Sequence, residues 1–334
     1  MQRDVDWLIA PDSFKGTFTA REVALAIAGG IGDANLDDTL DVCPVADGGE
    51  GTLEIVVEDA GGWSVEQQVS DPLGRPVTAR LGWVQQGSLA LVELASASGY
   101  RLVAPDERDA EAASTFGTGE LISAAVAAGA RRVAVAAGGS ASTDGGAGAI
   151  AAIESAGGLR GAQLTVLADV STPFELAATV FGPQKGADAD AVQRLTARLH
   201  EQAAALPRDP RGVPMSGAAG GLAGGLWARY GASIVPGAAW VLDAIGFDAR
   251  LQRAGAVITG EGRLDAQTLE GKAISEIARR CARQGVALHA LVGSIAIDAG
   301  ETEQLALASL HQASDLAQLR DAGRALAATA AISA

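Results

Sequence analysis

Lysine is almost missing from this chain. Of 25 Lys+Arg in 334 residues, three are lysines and the other 22 are arginines. Positive charge is scarce altogether: 40 Asp+Glu leave a net charge of −15. Nucleic-acid binding needs a basic stripe, and none exists here; an anionic membrane surface would repel the chain. Cysteine is equally sparse. Cys43 and Cys281 form no CxxC pair, which excludes a disulfide framework or a zinc site. The three histidines, His200, His289 and His311, lack ligand spacing, so no histidine-based triad is expected. No apolar run reaches the ~18 residues of a membrane helix. The opening MQRDVDWLIAPDS has no basic segment leading into an apolar one, so no signal peptide is predicted and a cytoplasmic location is expected. The phosphate-loop pattern GxxxxGK[ST] is absent too. Aromatics are only 4%, which leaves a core of Ala, Val, Leu and Ile.

Glycine, by contrast, is abundant. Its 43 residues lie well above the usual ~7%, and they cluster in a few loops. All three lysines sit in such loops, as Lys15 in PDSFKGT, Lys185 in FGPQKGA and Lys272 in TLEGKAI. A chain that otherwise writes arginine has placed lysine where a compact point charge can touch one phosphate or carboxylate oxygen. A neighbouring glycine lets the backbone approach the same ligand.

Acids mark the ends of the predicted strands. WLIAPDS ends in Asp12, DVCPVADGGEGT in Asp47 and Glu50, LTVLADVST in Asp169, and AVITGEGRLD in Glu261 and Asp265. Ligands of open α/β sheets bind beyond the carboxyl ends of the strands. Carboxylates there hold hydrated magnesium or accept a proton. One at a time these are ordinary turn residues; together with the three lysines they point to a site.

The pattern of elements is α/β. A strand at Trp7–Ala10, a Thr19/Glu22 capping box, a helix breaking near Gly29–Gly32 and a strand at Asp41–Ala46 make a βαβα start. A hairpin around Asp71–Gly74 and a strand in SLALVELASAS interrupt that rhythm. Further on come a helix stopped by Gly129, a strand at Arg132–Ala137 and an amphipathic helix over Asp188–Leu206. The βα rhythm returns with AGAVITG, a helix over Ala273–Gln284, LHALVG, ALASLH and a helix over Asp315–Ala330. The prediction is a flavodoxin-like parallel-sheet domain built from both chain ends, residues 1–66 and 250–334. A second α/β domain, residues 67–249, is inserted into it.

Three glycine-rich segments carry chemistry. Gly138–Gly146, GGSASTDGG, follows a strand and opens a helix, the setting of an anion site made by backbone N–H groups. Ser140, Ser142 and Thr143 add hydroxyls, and Asp144 a possible metal ligand. Gly217–Gly225 repeats the theme with glycines, downstream of GPQKG. Gly260–Ala273 holds three acids, an arginine, a threonine and a lysine, the residue types of a magnesium–phosphate clamp.

The segments IAPDSFKGTFTAREVA, PVADGGEGT, DPLGRPV, STFGTGELI, GGSASTDGGAGA, FGPQKGA, GAAGGLAGGL and ITGEGRLDAQTLEGKA, in this order, resemble the bacterial glycerate kinase family of the glycerate and sugar-diacid degradation type. The resemblance covers nearly the whole chain. It implies ATP- and magnesium-dependent phosphorylation of D-glycerate in a cleft between the two domains, with 2-phosphoglycerate expected ahead of 3-phosphoglycerate. The chain departs from the pattern at GLRGAQ, which replaces a longer segment after Gly158, and after Asp169, where Val-Ser-Thr-Pro stands instead of Asn-Pro.

Phosphoryl transfer needs positioning, cations on the transferring group and a base for the attacking hydroxyl. Asp169 is the expected base, with Lys15 and Lys272 as the catalytic cations. Substrate and nucleotide are expected to contact Asp12, Ser13, Gly48, Gly49, Gly139, Ser140, Thr143, Lys185, Gly220, Gly221, Glu261 and Asp265. In this set the backbones of Gly139–Ser140 and Gly220–Gly221 donate to phosphate. Asp47, Glu50 and Asp144 are expected to hold magnesium, directly or through water. The partners are then D-glycerate and ATP, with neither nucleic acid nor membrane, in a monomer or homodimer. Two alternatives stand beside this reading. One is a different small-molecule kinase or phosphatase on the same site; the other is a non-catalytic sensor of nucleotides or hydroxy acids.

Overall fold

The computed structural model describes residues 4–269 and 271–333. The first three residues of the opening segment, Glu270 of the TLEGKA motif and the last residue lie outside that range. Eleven strands are present among the described residues: β1 Val5–Pro11, β2 Leu40–Val42, β3 Trp63–Ser70, β4 Pro76–Val84, β5 Leu89–Glu93, β6 Arg132–Ala136, β7 Gln163–Ala168, β8 Ser233–Pro236, β9 Ala254–Glu261, β10 Ala287–Val292 and β11 Ser309–Gln312. The chain forms two compact units. One comprises the described residues of 1–47 and 238–334, the other residues 48–237.

The first unit is a five-stranded parallel sheet in the order β11-β10-β9-β1-β2. Counted along the unit, this is the flavodoxin-like order 2-1-3-4-5, whose direction of winding reverses between β1 and β9. The central strands are continuous apolar runs because both faces are covered: Leu8, Ile9, Val257, Ile258 and Leu291 are fully buried. Ile9 pairs with Val42 on one side and Ile258 on the other. The helix Ala20–Ala34 starts at the Thr19/Glu22 capping box and packs on the helix Leu316–Ser333.

Glycines 29–32 do not break that helix. Gly30 is where the two helices touch: a Cβ there would lie 1.8 Å from the Arg320 carbonyl oxygen. The second strand is also shorter than predicted, three residues, because it is the sheet edge. Cys43 and Val45 nonetheless carry on donating N–H bonds to Ile9 and Pro11.

The second unit is a six-stranded mixed sheet, β3 to β8 in sequence order. β3, β4 and β5 are antiparallel, and β5 to β8 are parallel. The hairpin turns on Asp71, whose carboxylate accepts the N–H groups of Leu73 and Arg75 and the Arg75 guanidinium. Leu81, Val92, Leu121, Val133, Ile153 and Val166 share one core. A smaller cluster around Phe174 packs Leu195 and Leu199 of the helix Ala189–Ala205, which Asp188 caps.

The unit boundaries fall at 47/48 and 237/238, not at 66/67 and 249/250. The helix Thr52–Asp59 lies on β4 of the second unit: a Cβ on Gly82 would meet Val57 at 2.8 Å and Leu53 at 2.9 Å. The segment after Gly237 joins the first unit through Arg280, which donates to the Ala239 carbonyl and to Asp243 and Asp248. β8, four residues of mixed polarity ending in Pro236, is an edge strand that the sequence pattern does not announce.

Candidate active site

In the first unit a cavity of about 390 Å³ opens at the carboxyl ends of β1 and β9. This is where the winding direction of the sheet reverses, the usual ligand position in such sheets. Asp12, Ser13 and Lys15 enter it from the turn after β1, Glu261 from the last position of β9, and Asp265 and Lys272 from the segment that follows. The sequence motifs that supply these six predicted residues lie about 250 positions apart, and β1–β9 pairing brings them together. The cavity also takes Thr17, Arg263, Ser294 and Ser314. Ser294 and Ser314 follow β10 and β11, so the rule that located the acids locates them too, once both strands are recognised.

Local geometry aims these groups. Asp12 extends the β1–β9 ladder, its N–H donating to the Gly260 carbonyl at 2.8 Å, while its carboxylate accepts the Ser13 N–H at 2.6 Å. The chain then doubles back through the Phe14–Phe18 bridge. Gly16, at φ +85°, turns the tip where Lys15 sits. Lys15 Nζ reaches Asp47 at 2.7 Å, with the lysine half-exposed and the aspartate buried. Gly262 has no side chain because a Cβ there would meet the Phe14 backbone at 3.2 Å.

The electrostatics of this cavity favour an incoming cation. Burial raises the Asp12 carboxyl to about 8, the Asp47 charge adds to the rise, and Lys15 opposes it. Burial likewise raises Glu261 to about 7, against a hydrogen bond from Thr268 Oγ1 at 2.5 Å and the Lys272 charge. Both carboxyls are thus held well above the usual carboxylate range by burial and neighbouring negative charge. Among the described residues no three carboxylate, histidine or cysteine side chains converge into a metal cage. Magnesium does not require one: it keeps several waters and binds through one or two carboxylates plus substrate phosphates. A buried Asp12 pressed by Asp47 fits that role, because a divalent cation relieves both causes of its raised pKa.

The second unit holds the other predicted residues. Gly48 and Gly49 thread between backbones: a Cβ on Gly48 would meet the Gly237 Cα at 2.6 Å, and one on Gly138 would meet the Gly49 Cα at 2.8 Å. The loop Gly138–Gly146 follows β6, and Asp169, half-buried, follows the neighbouring β7. Gly139 and Ser140 sit against the segment after β5, where Tyr100 N–H donates to the Gly139 carbonyl and Ala141 N–H to Ser98. Thr143 is fully buried. Lys185 is buried as well and donates to the Ser142 carbonyl. Glu50 is exposed and meets Arg101 at 3.3 Å.

Three expectations change here. Asp144 is tied into its own loop, not presented as an open carboxylate. Its carboxylate accepts from Thr115 N–H and Oγ1, both at 2.8 Å, from Gly146 N–H at 3.0 Å and from Gly148 N–H at 3.2 Å. Three of the four converge on Oδ2 and Gly146 alone donates to Oδ1, so most of this carboxylate's accepting capacity is taken up by its own surroundings. The N-terminus of the helix Ala147–Ser155 is for the same reason not an open anion site. Gly145 N–H goes to the Gly220 carbonyl, and Gly146, Ala147 and Gly148 all donate to Asp144. Gly221 is not a phosphate donor either, since its N–H already reaches the Gly217 carbonyl at 3.1 Å. Gly220 and Gly221, at φ +65° and +92°, exist so that two loops can pack: a Cβ on Gly220 would lie 2.1 Å from the Ser142 carbonyl oxygen.

A flavodoxin-like sheet with cations and acids at its reversal point, joined to a glycine-loop α/β unit, is an architecture for handling phosphate. The comparison with known proteins says which. The model of the glycerate kinase family matches residues 7–156 and 154–332. The chain is 39% identical over 332 residues to a glycerate kinase of Bacillus subtilis (strain 168), covering 89% of this chain and 87% of that relative. It is 34% identical over 332 residues to the glycerate 2-kinase of Escherichia coli (strain K12), with the same shares covered. A crystal structure described as glycerate kinase 2 from Salmonella typhimurium LT2 superposes with a TM-score of 0.84 at 33% identity, over 98% of this chain and 99% of that one. The chain belongs to the glycerate kinase family. It is a kinase of the class that transfers phosphate to glycerate, and that class implies ATP as the phosphoryl donor. No helix among the described residues is long and apolar enough to cross a membrane.

Proposed function

We propose that this protein phosphorylates D-glycerate with ATP and magnesium, at the 2-hydroxyl, as an enzyme of the cytoplasm. The single observation that carries the reading is the cavity at the β1–β9 reversal point, where Lys15, Arg263 and Lys272 meet Asp12, Glu261 and Asp265. Three cations suit a polyphosphate, and the buried acids suit the magnesium that accompanies it. When bound, magnesium neutralises charge on the phosphates; Asp12, with Asp47 beside it, would hold it. Lys15 and Lys272 steady the transferring phosphoryl group.

The attacking hydroxyl needs a proton acceptor within hydrogen-bond reach. Asp12 is poorly suited, because it is the carboxylate that would hold the magnesium. Asp169, at the carboxyl end of β7, is the proposed base. The choice of the 2-hydroxyl rests on the relative named glycerate 2-kinase.

The test is ADP release from purified protein with D-glycerate and a panel of hydroxy acids, with and without magnesium, followed by phosphorus NMR of the product. Magnesium-dependent turnover selective for D-glycerate, yielding 2-phosphoglycerate, is the expected result. Turnover only with another hydroxy acid overturns the substrate, and no turnover across the panel favours a sensor. A 3-phosphoglycerate product overturns the regiochemistry alone.

A further inference from the structure

The second unit brings two cations together, one buried and one half-buried, and neither has a counter-ion among the described residues. Lys185 is 5% exposed, and its ammonium donates to the Ser142 carbonyl. Arg108 is half-buried, its Nε has no hydrogen-bond partner among the described residues, and its guanidinium lies 5.6 Å from the Tyr100 ring. Gly186 locks the two segments together. Its φ is +94°, and a Cβ there would come 3.1 Å from the Arg108 carbonyl oxygen. Both cations line a small cavity of about 10 Å³, whose walls are Leu73, Val103, Ala113 and Ala141.

The acids nearby do not answer these charges. Asp109 lines the cavity, but its carboxylate accepts the N–H groups of Glu111 and Ala112. Asp144 is engaged mainly by the loop donors described above, and no direct bond joins it to Lys185 among the described residues. Burial accordingly pushes the Lys185 ammonium down to about 8, with the Asp144 charge opposing. An ammonium withdrawn from water without a counter-ion is a standing electrostatic cost, and folds retain such strain mainly at functional sites.

We propose that Lys185 and Arg108 form the site that recognises the carboxylate of the hydroxy-acid acceptor. The inference rests on the kinase reading above and adds where the acid group is bound. A carboxylate offers two oxygens, which suits one guanidinium Nε and one ammonium. The apolar walls suit a short carbon chain and exclude a triphosphate, which demands more donors than two. The cavity as it stands holds about one water. Arg108 is partly exposed, so its guanidinium can swing outward to admit the ligand.

The experiment uses Lys185→Met and Arg108→Gln in the full chain. Steady-state kinetics are run with D-glycerate and ATP varied separately, and calorimetric titrations with D-glycerate and with inorganic phosphate. We expect the KM and Kd for D-glycerate to rise about tenfold or more in each variant, with the KM for ATP within about twofold. Lys185→Met should melt no lower than wild type, because it removes a buried unpaired charge. A rise in the KM for ATP instead, or tight phosphate binding lost in the variants, makes this a phosphate site and overturns the proposal. Unchanged KM and Kd for D-glycerate also overturn it, whatever happens to stability. Should Lys185→Met fail to fold, Arg108→Gln alone decides, since that side chain is partly exposed. Wild type inactive with D-glycerate sinks the kinase reading; active wild type with indifferent variants sinks only the site.

Discussion

Asp12 shows how much a single carboxyl can report. Its pKa stands near 8 in the folded chain against an ordinary 3.8, so the folded state binds more protons than the unfolded one between those values. Its stabilising contribution is full below about pH 4 and is lost as pH rises through about 8. Glu261, raised to about 7, acts in the same direction. The ligand-free protein should therefore melt progressively lower from pH 5 to pH 8.5, and Asp12→Asn should flatten that fall; paired melting curves check it. An equal fall in the variant would place the titration elsewhere. Asp169→Asn probes the base instead. It should lower kcat by about 10²–10⁴ and leave ATP binding nearly unchanged. Loss of nucleotide affinity restored by excess magnesium would make Asp169 a metal ligand, and normal kcat would remove it from the mechanism. Lys→Arg at Lys15 or Lys272 should also lower kcat/KM well beyond twofold, since a guanidinium crowds a site built for a point charge.

Among the secondary elements, the helix Ala20–Ala34 separates two kinds of glycine. Gly32 faces open space, so Gly32→Ala should stabilise by up to about 1 kcal/mol through helix propensity. Gly30 touches the helix Leu316–Ser333, and a Cβ would overlap the Arg320 carbonyl at 1.8 Å. Gly30→Ala should destabilise by about 1–3 kcal/mol despite the same gain in propensity. Thermal melts of the two variants check the opposed signs. Nothing in the letters GGIG distinguishes the two positions, and both read as a helix stop. The helix Ala273–Gln284, by contrast, begins and ends where its pattern predicts, because its apolar stripe is local. β8 and the shortened β2 depart from the sequence pattern because an edge strand is defined by its neighbour, not by its own residues.

The whole molecule consists of two units with separate cores, one of them continuous in sequence. Residues 48–237 carry a six-stranded sheet and its covering helices, which is what an independently folding domain requires. Expressed alone, this fragment should show a cooperative melt by circular dichroism and no phosphoryl transfer, since Asp12, Lys15 and Lys272 belong to the other unit. A fragment without a cooperative transition would mean that its core depends on the discontinuous unit.

By itself the sequence determined the α/β class, the hairpin at Asp71, the capping box at Thr19 and the motif order that resembles a glycerate kinase. These are short-range or ordered signals: apolar period, turn residues and lysines set beside glycines. Only tertiary structure decided which groups meet. Strand pairing set Asp12 and Lys15 beside Glu261 and Lys272 across the chain. Loop packing set backbone donors on both oxygens of Asp144, and the contact at Gly186 set Arg108 beside Lys185. The physical reason is that the charge and hydrogen-bonding capacity of a side chain depend on its desolvation and its partners. Those are fixed by residues tens or hundreds of positions away, so the sequence names the chemical groups while the fold assigns their protons, their partners and their place in the site.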